Sequence, residues 1–378
     1  MNIRKVTAAD LKLGMLLPWD VYGENGALLI RKGHMIASAN QIAYLVERGV
    51  FEDGQPASVL ADPPSVLRKL NAAYLELHTL LQAASQGVAP PDFRRRLDDI
   101  ALLVHAAIDL NVDIATASIL HNQQQAPYAA RHSVNTAIVA VLLARSRQRS
   151  RNDVMTVTLA ALTMNTGMLE HHQRWHDSNA VLDAADHARK LAHPERSVQL
   201  LRAAGVNDEA WLNCVLHHHE NEDGTGYPCN KVGAQIPLLS KLVALADRYC
   251  ARVSERTYRP TLSAHAALRD MLMEARTTLD TNLVSLVIKE LGIYPIGTYV
   301  RMLNGEVGVV SRRGLQSTTP HVQSVIGPRG APLEVFLQRD TRNQRHAIRE
   351  VLTNAQVAAL DAAPLHMAQV WGRAAATD

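Results

Sequence analysis

From about residue 66 to residue 290, apolar residues recur every three or four positions, the spacing of a helix with one buried face. VLRKLNAAYLELHTLLQ, FRRRLDDIALLVHAAIDL, SVNTAIVAVLLARSR and DVMTVTLAALTM all carry this period, and short loops part them. Asp92 and Asp153 stand where N-caps are wanted. The pattern predicts a bundled or orthogonal all-helical domain over residues 66–291. Both flanks read differently. Residues 1–54 are short apolar pieces separated by turn signals; Asn25-Gly26 predicts a hairpin. A helix is expected from its cap Ser38 to Arg48, ended by Gly49. Residues 55–65 contain Pro56, Pro63 and Pro64 and read as a linker. In residues 292–378, Asn304-Gly305 predicts another hairpin, PLEVFLQRD a further strand, and residues 354–362 a short closing helix. The expected fold is mainly α, with a small β-rich module before the helical domain and a small β appendage after it.

Composition narrows the function. Ala and Leu are abundant, which favours helices because both lose little freedom there. The net charge of +3 is the difference between 39 basic and 36 acidic residues. A nucleic-acid-binding protein would show a clustered basic excess, so none is expected as a partner. Three cysteines, Cys214, Cys229 and Cys250, have no paired spacing, which argues against disulfides or a zinc knuckle and fits a reducing cytoplasm. The N-terminus lacks the apolar run of a signal peptide and no apolar run reaches the length of a membrane span, so the expected location is cytoplasmic.

The densest chemistry lies in His217-His218-His219-Glu220-Asn221-Glu222-Asp223-Gly224-Thr225-Gly226-Tyr227-Pro228. Adjacent histidines at the end of the apolar run AWLNCVL can place imidazoles in one site. Gly-Thr-Gly then lets the backbone turn where side chains would clash. Tyr227 and Pro228 form a stiff, partly apolar edge on which a planar base could rest.

This string resembles the signature of the HD-GYP family, bacterial metal-dependent phosphodiesterases that hydrolyse cyclic di-GMP. His218, His219, Glu220, Asp223, Gly224, Gly226, Tyr227 and Pro228 occupy its HHE…DGxGYP positions. Downstream, Asp247 matches the family's late metal-binding aspartate, and Arg256 and Tyr258 its Arg-Pro-Tyr stretch, with Thr257 for the proline. Upstream, His132 matches the first histidine and His193-Pro194 the intermediate one. The resemblance covers roughly residues 125–290 in the family's order and implies an all-helical HD-type domain. It also implies His132, His193, His218, His219 and Asp247 as metal ligands.

The departure falls in the segment that names the family. Where His-Asp-Ile-Gly-Lys ends an apolar helix, this chain has Met164-Asn165-Thr166-Gly167-Met168. A histidine beside a carboxylate supplies a nitrogen donor and an anionic donor that can bridge two cations. Asn165 offers a neutral amide oxygen and Met164 a soft thioether, which argues against the usual dinuclear site. Tyr128 stands where some members carry an extra glutamate, which argues against a third metal. Two outcomes stay open: no metal, or one divalent ion (Fe, Mn or Zn) on the remaining imidazoles.

Three readings of function follow. One is a signalling protein that binds cyclic di-GMP, or partners such as diguanylate cyclases, through Asp223, Gly224, Gly226, Tyr227 and Pro228. A second is a residual mononuclear phosphodiesterase; a third is a scaffold without ligand. Arg248, Arg252 and Arg256 recur at four-residue spacing, on one helix face, and suit either phosphate binding or a solvated face. His171-His172 reads as a surface pair, His176-Asp177 as a solvated loop, Cys229 as a loop thiol, and Arg94-Arg95-Arg96 as a helix face paired with Asp98 and Asp99.

Overall fold

The computed structural model describes residues 2–15, 17–23, 28–30, 32, 34–36, 38–53, 64–123, 126–177, 183–254, 262–360 and 365–377. Strands β1 (Asn2–Lys5), β2 (Val21–Gly23), β3 (Leu28–Ile30) and β4 (Gly49–Asp53) form one antiparallel sheet of order β1-β4-β2-β3. The Asn25-Gly26 turn lies outside the described residues, although the β2–β3 pairing it predicts is present. Helix α1 (Ala39–Arg48) begins as expected, with the Gln41 N–H donating to Ser38 Oγ. It ends at Gly49, but not through a left-handed turn. A Cβ there would sit 2.5 Å from the Leu45 carbonyl oxygen and 2.6 Å from Val21 Cγ1, so packing demands the glycine. Val6, Leu11, Leu17, Val21, Ile36 and Leu45 give this module its own core.

The helical part comprises α2 (Val66–Ser85), α3 (Phe93–Leu110), α4 (Val112–His121), α5 (Tyr128–Ser146), α6 (Arg151–Thr163), α7 (Leu169–Asp177), α8 (Ala184–Ala203), α9 (Glu209–His217), α10 (Leu238–Val253), α11 (Ala264–Glu274) and α12 (Thr281–Leu291). Helix α5 is buried on every side from Tyr128 to Ala144, as a run with little amphipathic contrast must be. It forms the axis against which α6 and α10 pack. Asp92 holds the N-cap position of α3 without a side-chain cap bond. Asp153 does not cap α6: Ser150 does, accepting from the Asp153 N–H, and the acidic residue sits inside the first turn. The basic run on α3 is paired, Arg94 with Asp98, Arg95 with Asp99, and Arg96 with Glu76 on α2.

After α12 come β5 (Tyr299–Met302), β6 (Val307–Arg312), β7 (His321–Ile326), β8 (Pro332–Asp340) and β9 (Ile348–Val351), antiparallel in the order β8-β7-β6-β5-β9. Asn304-Gly305 makes the β5–β6 turn, with Gly305 at φ +89°. Helix α13 (Asn354–Ala358) is shorter than the expected 354–362, and α14 (Met367–Trp371) follows it. The sheet is docked rather than appended: Val300, Met302, Val310 and Val322 join the helical core, while Val307, Val309, Val325 and Ile326 make a second cluster with Leu352 and Val357. The fold is mainly helical, with small antiparallel sheets in its N- and C-terminal regions. Among the described residues no single helix is long and apolar enough to cross a membrane.

Candidate functional site

Three imidazoles converge from two elements. His193 comes from the middle of α8, and His218 and His219 from the end of α9; their ligand atoms all lie within 4.8 Å of one another. Each of the first two is held from behind by a carbonyl that its helix leaves free. Pro194 has no N–H, so the carbonyl of Lys190, four residues back, loses its helical partner. His193 Nδ1 lies 2.5 Å from that oxygen. Helix α9 stops at His217, so its last carbonyls are likewise without helical partners, and His218 Nδ1 lies 2.7 Å from the Val215 oxygen.

These two contacts decide the tautomers. An Nδ1 facing a carbonyl oxygen must carry the proton, which leaves each Nε2 as a bare lone pair. Those two nitrogens face each other at 3.2 Å. Two lone pairs at that distance repel unless a proton or a cation lies between them. A proton is disfavoured: burial, and then His218, pulls His193 down to about 3, and burial lowers His218 and His219 as well. The three imidazoles are neutral donors at neutral pH, the form a divalent metal needs. Backbone carbonyls behind ligating histidines are the usual outer support of such a centre. The residues present fit a divalent ion.

Asp247, on α10, is buried beside them and hydrogen-bonded by His132 Nε2 at 2.7 Å. Burial alone would raise its pKa, yet the bond from His132 holds the carboxyl well below its ordinary range, so it stays ionised. Residues 164–168 pack directly on α8. Ser197 Oγ bonds the Met164 carbonyl at 2.8 Å and accepts from the Gly167 N–H at 2.9 Å. A Cβ on Gly167 would lie 2.6 Å from the His193 carbonyl oxygen, which explains why glycine stands there. Met164 is fully buried in the core, Met168 is nearly so, and Asn165 is buried with an amide oxygen that has no partner among the described residues.

The Gly-Tyr-Pro loop closes over the imidazoles. Tyr227 stacks on His219 at 4.7 Å, and burial pushes its phenol up. A Cβ on Gly226 would lie within 2.5 Å of backbone atoms of His219, Glu220 and Asn221. Glu220 is a tie rather than a ligand: its two oxygens accept from the N–H groups of Cys229 (2.7 Å) and Lys231 (2.8 Å). Asp223 accepts from the Thr225 N–H and hydroxyl, Gly224 sits at φ +80°, and Cys229 is exposed beside Pro228.

The arginine row does not act as one face. Arg248 donates to Asn221 Oδ1 at the edge of the loop, Arg252 pairs with Glu274 at 2.5 Å, and Arg256 lies outside the described residues. The expected solvated loop at His176-Asp177 is instead the end of helix α7, whose His172 and His176 pack on Tyr128. Sequence reasoning missed α7, because its run LEHHQRWHD is too polar to show a buried face.

Residues 115–283 match the family model described as an HD domain. The chain is 31% identical over 212 residues to the cyclic di-GMP phosphodiesterase PA4108 of Pseudomonas aeruginosa, covering 55% of this chain and 50% of that protein. It is 30% identical over 171 residues to the 3′3′-cGAMP-specific phosphodiesterase 3 of Vibrio cholerae, covering 45% and 37%. With the cyclic di-GMP phosphodiesterase PdeB of Borreliella burgdorferi the identity is 24% over 187 residues, covering 49% and 48%. The chain thus spans half or less of the length of these curated relatives. Among solved structures, the HDG"Y"P protein Bd1817 of Bdellovibrio bacteriovorus shares the fold, with a TM-score of 0.50 at 13% identity, covering 76% of this chain and 99% of that one. Residues 115–283 are thus an HD domain, and over about half of its length the chain is similar to phosphodiesterases of cyclic dinucleotides.

Proposed function

We propose that this protein works in cyclic-dinucleotide signalling as a degenerate relative of the phosphodiesterases it resembles. It holds one divalent ion on His193, His218 and His219, binds nucleotide or partner proteins, and hydrolyses phosphodiesters weakly or not at all. The observation that carries the cation is the 3.2 Å apposition of two imidazole nitrogens whose other nitrogens are committed to carbonyls. An ion held there supplies Lewis acidity toward a phosphate oxygen. Arg248 and the Tyr227 ring flank the imidazoles, one suited to a phosphate and the other to a base. The exposed tip at Asp223 and Thr225 is available to a protein partner such as a diguanylate cyclase.

Loss of turnover follows from Met164 and Asn165. Neither residue brings a negative charge to the site, so no carboxylate from this turn can bridge two cations. A second reading, a residual mononuclear hydrolase, is favoured by the Asn165 oxygen, buried without a partner among the described residues. The test combines elemental analysis, calorimetric titration with cyclic di-GMP and product chromatography on one anaerobic preparation. We expect bound metal, nucleotide binding, and turnover far below that of a Met164→His/Asn165→Asp double variant. Fast, metal-stimulated hydrolysis by the unaltered protein would sink the degenerate reading, and absence of metal would sink the cation.

A further inference from the structure

The first turn of α11 opens into a cleft where the helical core meets the C-terminal sheet. Ser263 and Ala264 line it from the helix, Thr298 and Tyr299 from the start of β5, and Leu120 and Val253 from the ends of α4 and α10. The space open inside is about 40 Å³, several times the ~10–15 Å³ that one water needs. No charged side chain lines it among the described residues.

In this cleft hydrogen-bond donors are left over while the acceptors beside them are taken. Ser263 Oγ accepts from the Ala266 N–H at 3.2 Å, which caps one orphan amide of this 11-residue helix. The N–H groups of Ala264 and His265, which point out of the same helix end, have no hydrogen-bond partner among the described residues. Thr298 is 4% exposed, and its buried hydroxyl has no partner among them either. The neighbouring carbonyls are engaged: Gly297 with His121 Nε2 at 2.7 Å, Thr298 with the Val310 N–H at 2.9 Å, and Tyr299 with the Leu352 N–H at 2.9 Å. A buried hydroxyl is rarely left unpaired, because it has lost its water without gaining a bond. What this group of donors lacks is an acceptor. Two free amides at a helix N-terminus beside a hydroxyl suit a tetrahedral oxyanion, and the helix dipole favours its charge. A cation would face N–H groups.

We propose that this cleft is an anion site for inorganic phosphate, or for the phosphate group of a small phosphomonoester, held by the Ala264 and His265 amides and the Thr298 hydroxyl. It shares no residue with the three-histidine centre and does not depend on the proposed function. Its donors come from both sides of the junction, so an occupant clamps the sheet to α11.

The experiment is titration of inorganic phosphate into the full chain at constant ionic strength, with chloride as the control, read by amide resonances and by thermal melting. We expect the Ala264 and His265 amides to shift with saturation and the melting midpoint to rise with phosphate but not with chloride. Thr298→Val should weaken phosphate binding by about tenfold, the loss of one hydrogen bond to a charged group. Thr298→Ser should restore it, and His218→Ala should leave it unchanged. A parallel titration with glycerol 3-phosphate separates the sources: tighter binding of the ester supports a phosphomonoester, and tighter binding of phosphate supports the free ion. Unmoved Ala264 and His265 amides at high phosphate overturn the proposal, even if Thr298→Val fails to fold. Equal shifts with chloride overturn it, as does undiminished phosphate affinity in Thr298→Val.

Discussion

Pro194 aims a histidine by removing a hydrogen. Its missing N–H leaves the Lys190 carbonyl for His193 Nδ1, much as the end of α9 leaves Val215 for His218. Pro194→Ala would return that carbonyl to the helix and set it in competition with the imidazole. We expect zinc affinity to fall by about tenfold, with helix content unchanged, as for other losses of support behind a ligating histidine; unchanged affinity in a competition titration would refute the role. Glu220 acts on the loop. Its replacement by Ala strands the Cys229 and Lys231 N–H groups and should cost roughly 1–3 kcal/mol in chemical denaturation. The cysteines separate by burial: burial pushes Cys214 up to about 12 and raises Cys250 further, while Cys229 is exposed and raised less. A thiol reagent at neutral pH should label Cys229 alone until the protein unfolds.

At the scale of elements, the turn after α6 is set by packing. Met164 fills the core, and Gly167 lets α8 cross within 2.6 Å of where a Cβ would stand. The turn is therefore a packing device. Gly167→Ala should destabilise the domain by roughly 1–3 kcal/mol, as overpacking does, and displace His193 with α8. A thermal melt coinciding with that of the unaltered protein would contradict this. The helices of the centre were legible because their apolar runs are long and parted by short loops, and α2 and α3 add a clear 3.6 period. Helix α7 was not, because it is short, polar and stabilised by rings from α5 that sequence spacing does not bring near it.

Across the whole molecule the C-terminal segment ties the parts together. Trp371 Nε1 bonds the Ser311 carbonyl at 2.8 Å, Arg373 reaches the Leu17 carbonyl at 3.2 Å, and Ser65 Oγ reaches Ala376 at 2.5 Å. Sheet, helical core and N-terminal module are thereby joined through one stretch of ten residues, 367–376. Histidines couple the N-terminal module and the helical core to pH. Every described histidine with a displaced titration, His34, His105, His193, His217, His218 and His219, is lowered, in each case first by burial. A lowered imidazole takes its proton more readily in the unfolded chain, so stability falls as pH drops below the ordinary histidine value of about 6.5. The metal-free protein should lose denaturation midpoint steadily from pH 7.5 to 5.5. A flat profile over that range would contradict the burial of these rings as neutral groups.

The sequence by itself determined the helical centre, the sheets at both ends and the residues of the Gly-Tyr-Pro string, because periodicity, turn chemistry and an ordered motif are local properties. It also displayed Met164 and Asn165 as plain letters. Tertiary structure alone decided what those residues do together. It divided the histidines into a trio with opposed lone pairs and a group around Tyr128, and it made Glu220 a loop tie. It drew Arg252 away to Glu274 and brought α7 to His132. Those outcomes depend on which carbonyls are left free and which surfaces meet after packing, and no spacing along the chain encodes them.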